Sequence, residues 1–169
     1  MGFELTDLPK EQSLKELAEK FREADPSAVE SMLLLVRIAG DLNAIVDSFL
    51  SRYGISSGRF SILMLLYKAP DHRLSPSVLS SGVHCTRATI TGLLDGLQEA
   101  GLVRREDDLE DRRGTSVKLT PKGTKLIDQI LPDHLGRIAA LMKPLSKADR
   151  KHLKDCLLKV RSNLGVFEN

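Results

Sequence analysis

The sequence predicts a mostly α fold (α+β) in which one short β-hairpin is set among helices of unequal length. Three observations carry this. Apolar residues recur at helical spacing over most of the 169 residues, as in Leu126, Ile127, Ile130 and Leu131. The pairs Asp25-Pro26, Ser75-Pro76 and Thr120-Pro121 open one helix after another, because a polar cap accepts a free first-turn amide and proline suits that turn. The polar stretch DDLEDRRG is flanked by the β-patterned runs Leu102-Val103 and Ser116-Val117-Lys118-Leu119.

In chain order, Ser13 and Glu16 have capping-box spacing, and Leu14, Leu17, Ala18 and Phe21 follow on one helical face. A helix over 26–52 carries Met32, Leu35, Val36, Leu42, Ile45, Val46 and Phe49 on more than one face, so burial by its own domain and by a partner chain is implied. Gly54 ends it, and Ser56 caps a helix bearing Phe60, Ile62, Leu63, Leu65 and Leu66. A short helix starts at Ser75-Pro76 and ends near Gly82. Another runs from Thr86 to Ala100 with Gly101 as its stop. The helix from Thr120-Pro121 to about Met142 should kink at Pro132. Ser146 with Asp149 opens a last helix containing Leu153, Leu157, Leu158, Val160 and Leu164. The expected division is an N-terminal extension and first long helix over 1–53, a unit of shorter helices and the hairpin over 54–120, and C-terminal helices over 121–169.

Composition narrows the function. Hydrophobic residues at 41% and charged residues at 28% are those of a globular chain, and the apolar run 32–36 is far too short to span a bilayer. The N-terminus lacks a basic region followed by an apolar core, so the expectation is a cytoplasmic protein without a membrane partner. Neither GxSxG nor GxxxxGK[ST] occurs, and the acids of EDDLED are expected exposed at a hairpin tip, so no catalytic residues and no cofactor are expected. Cys85 and Cys156 form no CxxC pair, and His72, His84, His134 and His152 show no HxH or HxxxH spacing, so no metal site is expected. Cys85, just before the helix at Thr86 and near Arg87, leaves a redox-sensing thiol as an alternative; a helical adaptor without DNA binding is another.

Net charge is only +2, but it is segregated: five acids fall within 106–111, and Arg112, Arg113, Lys118, Lys122 and Lys125 follow without a carboxylate. The helices 75–81 and 86–100, joined by Gly82-Val83-His84-Cys85, have the layout of a helix-turn-helix, whose second helix enters the major groove by its N-terminal end. Thr86, Arg87, Thr89 and Thr91 offer hydroxyls and a guanidinium for phosphates or base edges, and the Ala88 methyl suits a thymine methyl. Ser75 and Ser77 at the start of the first helix are candidate phosphate contacts. The hairpin then reads as a wing: Asp111, Arg112, Arg113 and Gly114 at its tip reach a minor groove, with Arg104 and Arg105 as further candidate wing contacts.

The stretch TRATITGLLDGLQEAGLVRREDDLEDRRGTSVKLTPKG resembles the MarR family of bacterial transcription regulators in its recognition-helix pattern, its DxR wing signature (Asp111, Arg113) and its LTPKG start to the next helix. The resemblance implies a winged helix-turn-helix homodimer that binds an inverted-repeat operator in double-stranded DNA, usually represses, and is released by a small-molecule effector. An effector pocket between the DNA-binding lobe and the dimer helices is implied, with Arg37, Asp41, Phe49, Tyr53 and His72 as candidate lining. The segment FREADPSAVESMLLL resembles the urate-responsive branch. Phe21, Ser61 and Leu93 stand where that branch carries its ligand tryptophan, aspartate and arginine, so urate is not implied.

Overall fold

The structure is a computed structural model that describes residues 16, 19–21, 25–83, 85–107 and 115–167. The capping box at Ser13, His84, and the wing residues Asp111, Arg112, Arg113 and Gly114 lie outside these described residues. The elements are α1 (Pro26–Ser51), α2 (Ser57–Lys68), a 3-10 turn (Pro70–His72), β1 (Arg73–Leu74), α3 (Pro76–Gly82) and α4 (Arg87–Glu99). They continue with β2 (Val103–Asp107), β3 (Thr115–Leu119), α5 (Pro121–Leu141), α6 (Lys147–Ser162) and a closing 3-10 turn (Leu164–Phe167).

Each helix start is written in its cap. The side chains of Asp25, Ser56, Ser75, Thr86, Thr120 and Ser146 all accept a first-turn amide, each contributing about 1 kcal/mol. At Ser146 the cap is reciprocal, because Asp149 accepts the Ser146 amide in return. Asp47 on α1 accepts both the amide (2.8 Å) and the hydroxyl (2.6 Å) of Ser57, which ties α1 to the start of α2. These bonds, the side-chain one first, hold the Asp47 carboxyl below its ordinary value. α4 ends in a Schellman motif: Gly101, at φ +70°, donates to Gln98 O, and Leu102 donates to Leu97 O. That left-handed residue turns the chain from α4 into β2.

The core is centred on α2, whose Phe60, Ile62, Leu63 and Leu66 are buried. Around it close Leu50 of α1, Leu79 of α3, Ile90, Leu94 and Leu97 of α4, and Ile127 and Ile130 of α5. The sheet adds Val103, Val117 and Leu119. Because Ile90, Leu94 and Leu97 form a single stripe, the opposite face of α4 is left to solvent.

Three features depart from the sequence reading. The sheet has three strands in the order β1-β3-β2, all antiparallel; β1 is two residues long, too short to show an alternation. β2 continues through Arg104, Arg105, Glu106 and Asp107, a polar run that pairs with β3 without an apolar pattern of its own. Glu106 therefore belongs to the strand and not to the tip. As expected, one helix, α5, contains Pro132, whose ring is exposed. α6 ends at Ser162, which leaves Leu164 in the closing turn.

Candidate nucleic-acid interface

The turn between α3 and α4 is locked from α3. Ser80 Oγ donates to Cys85 O (2.7 Å), and the Cys85 amide donates to Ser80 O (3.2 Å). Cys85 is half-buried by this arrangement. The first turn of α4 then emerges with Arg87, Ala88, Thr89 and Thr91 exposed. The Arg87 side chain has no hydrogen-bond or ion-pair partner among the described residues, so its guanidinium is available to an outside acceptor. The hydroxyls are partly committed: Thr86 Oγ1 caps Thr89 N (3.2 Å) and meets Thr89 Oγ1 (2.9 Å), while Thr91 Oγ1 donates to Arg87 O (2.9 Å). In α3, Ser75 Oγ caps Val78 N and lies 2.9 Å from Ser77 Oγ. Ala88 is exposed, off the buried stripe of Ile90, Leu94 and Leu97.

At the base of the hairpin, Arg104 and Arg105 are not free cations. Arg105 Nη2 donates to Asp95 Oδ1 on α4 (2.6 Å), and Arg104 Nε pairs with Glu106 Oε1 (2.6 Å). Glu106 Oε2 also takes Nη2 of Arg73 from β1. The acidic partners Asp95 and Glu106 were missed in the sequence because they lie in neighbouring elements brought together only by the sheet.

The LTPKG start of α5 has a geometric cause. Leu102 O accepts from both the amide (3.0 Å) and the hydroxyl (3.1 Å) of Thr120, drawing α5 against the root of β2. A Cβ on Gly123 would sit 2.3 Å from that same Leu102 oxygen, so only glycine admits this approach. Lys122 Nζ donates to Ala100 O (2.8 Å), a cation on the last carbonyls of α4.

The five residues expected to line an effector pocket are not brought together. Arg37 and Asp41 pair with each other on exposed α1 (3.1 Å), and His72, in the 3-10 turn after α2, stacks on Tyr67 at 5.8 Å. Only Phe49 borders the groove of about 580 Å³ between α1 and α5, with Leu42, Val46, His134, Arg137 and Leu141. Tyr53 meets the edge of Phe49 at 5.5 Å but lies outside the groove. His134 stacks on Phe49 at 5.8 Å and meets the edge of Phe60 at 5.2 Å; the Arg137 guanidinium lies 4.9 Å from the Phe49 ring centre. A second cavity of about 360 Å³ has Ser61, Met64 and Lys68 of α2, Val83 of the turn, and Leu131 and His134 of α5 in its walls. The signal for His134 was available in the sequence, since it continues the Ile127, Ile130, Leu131 stripe of α5.

The family model described as MarR family matches residues 55–115, the segment from the start of α2 into β3. The HTH-type transcriptional repressor YetL of Bacillus subtilis is 39% identical over 166 residues, covering 98% of this chain and 99% of that protein. The chain belongs to the MarR family. As a MarR-family transcriptional regulator, it also superposes on solved members. Sco3205 from Streptomyces coelicolor, solved in complex with DNA, matches with a TM-score of 0.73 and 27% identity, covering 81% of this chain and 92% of that one. NadR in complex with 4-hydroxyphenylacetate matches with a TM-score of 0.63 and 27% identity, over 76% of this chain and 89% of that one. Among the described residues of this MarR-family chain, no helix is long and apolar enough to cross a membrane.

Proposed function

We propose that this regulator is a homodimeric repressor that inserts the first turn of each α4 into successive major grooves of an inverted-repeat operator. The carrying observation is the Arg87 side chain, exposed and unpartnered among the described residues at the start of a helix whose opposite stripe is buried. Thr86, Ala88, Thr89 and Thr91 share that end, with Ser75 and Ser77 placed for phosphates. The wing residues Asp111, Arg112, Arg113 and Gly114 complete the contact in the flanking minor groove. In this reading, 54–120 is the DNA-binding part, while 1–53 and 121–169 make the dimer.

The dimer reading is supported by apolar surface that a single chain leaves open. Met32, Leu35, Val36 and Ile45 on α1, Leu135, Ile138 and Leu141 on α5, and Leu153, Leu157, Leu158 and Val160 on α6 are all exposed. α6 makes at most a marginal contact with any other helix of its own chain.

NadR's ligand is an aromatic carboxylate, and the cavity beside Ser61 offers a comparable setting: apolar walls with Lys68 and His134 as cationic or donor groups. An effector there touches the α3–α4 turn through Val83 and the dimer helices through α5, so filling it changes the spacing of the two recognition helices.

Arg87→Ala tests the interface. Against a duplex selected by the wild-type protein from a random-sequence pool, the loss should be about 1–3 kcal/mol. Binding to unrelated duplex should change much less. Equal losses on both duplexes in a mobility-shift titration would mean that Arg87 holds a phosphate and reads no base.

A further inference from the structure

We propose that Glu106 is the positioning residue of the wing, the carboxylate that sets how the hairpin leaves the DNA-binding lobe and where Arg104 is aimed. This rests on the DNA-binding reading above and adds a role that neither the recognition helix nor the wing tip supplies.

The sheet register shows what Glu106 spans. β3 lies between β1 and β2, with Arg73 opposite Lys118, Arg104 opposite Lys118, and Glu106 opposite Ser116. Side chains alternate across a strand. Val103, Arg105 and Val117 therefore share the core face, while Arg73, Lys118, Arg104 and Glu106 share the other. On that second face, Glu106 is the one carboxylate among the described strand residues, and three cations share the face with it. It takes Arg73 with Oε2 and Arg104 with Oε1. The first pair reaches over β3 and joins the two outer strands of the sheet directly.

The pair is partly withdrawn from water, with the Arg73 and Glu106 side chains only 23% and 22% exposed. Arg73 Nε is buried without a hydrogen-bond partner among the described residues, so the guanidinium depends on Glu106 for compensation. On the opposite face the adjacent residue, Arg105, is held by Asp95 of α4. Consecutive residues of β2 thus tether the strand to β1 on one side and to the recognition helix on the other. The chain continues from Asp107 into the tip, so the angle of β2 decides where the tip begins. Arg104, 59% exposed and gripped at Nε, keeps its terminal nitrogens for a phosphate.

The sign of the effect makes the test decisive. Removing an acid from a surface that faces a polyanion ordinarily strengthens binding. Here Glu106→Gln should weaken binding to the selected duplex by about tenfold, because it releases both Arg104 and the β1 tether. Arg73→Met should show a similar loss, and the double variant should lose little more than either alone. Arg73→Lys, which keeps the cation, should recover part of it. Circular dichroism melting and sedimentation of each variant confirm an intact dimer; where Glu106→Gln does not fold, Glu106→Asp replaces it, since a carboxylate drawn back by one methylene should also weaken binding. Wild-type affinity or tighter binding in the Glu106 variant, or losses that simply add, would overturn the proposal. Failure of the wild-type protein to select any duplex would instead strike the DNA-binding reading beneath it.

Discussion

Leu157→Glu in α6 should convert the protein to a monomer and weaken operator binding by at least about a hundredfold, the lower end of what linking two half-sites contributes. Leu153, Leu157 and Val160 stand at helical spacing on one face and are 40%, 41% and 50% exposed in the single chain. A two-fold interface places the substitution twice, and a carboxylate buried there without a partner costs several kcal/mol. Because no residue of α6 is buried within its own chain, the lobe built around α2 should keep its fold. Sedimentation at micromolar concentration, with mobility shift on the same samples, checks both halves of this expectation. A variant that remains a dimer would place the interface elsewhere.

Gly123→Ala should destabilise the protein by about 2 kcal/mol or more, in the range found for overpacked sites. Helix propensity alone predicts the reverse, a gain of up to about 1 kcal/mol for alanine within a helix. Geometry decides between them. The new methyl would lie 2.3 Å from Leu102 O and 2.7 Å from Leu119 Cδ1. The leucine can rotate away, but the carbonyl is backbone and is already held by Thr120 through two hydrogen bonds. Relief therefore requires α5 to move off the root of β2, which also loosens the hairpin. Denaturant titration should show a lower midpoint with an unchanged slope; a raised midpoint would mean that the contact is not close.

The helices were legible because their starts are chemically explicit. Asp25, Ser56, Ser75, Thr120 and Ser146 were each recognisable as caps and each accepts a first-turn amide in the structure, as does Thr86, which the sequence showed only as the start of its helix. Gly101 announced the end of α4 because only a left-handed residue makes that turn comfortably. What the sequence hid depends on partners distant in the chain. β2 was cut short because Arg104, Arg105 and Glu106 have no strand pattern until β3 and two ion pairs hold them. The exposed residues at the start of α4, Thr86, Arg87, Ala88, Thr89 and Thr91, were legible as a cluster because they are close in the chain. No cavity lining was legible: Arg37 and Asp41 on α1 and His72 after α2 are not gathered at one cavity, while the cavity beside α2 is framed by residues from three elements, Ser61, Val83 and His134 among them.

The measurement that bears most directly on the central claim is a footprint of the wild-type protein on its selected operator, repeated with five base pairs inserted between the half-sites. Two recognition helices related by a dimer axis require half-site centres roughly 34–36 Å apart, about one helical turn. The account predicts an inverted repeat protected over about two turns, with outer contacts that disappear in Arg113→Ala. The insertion rotates one half-site by about half a turn and should abolish high-affinity binding. Protection of a single half-site, or affinity unchanged by the insertion, would contradict a dimer reading two grooves in register.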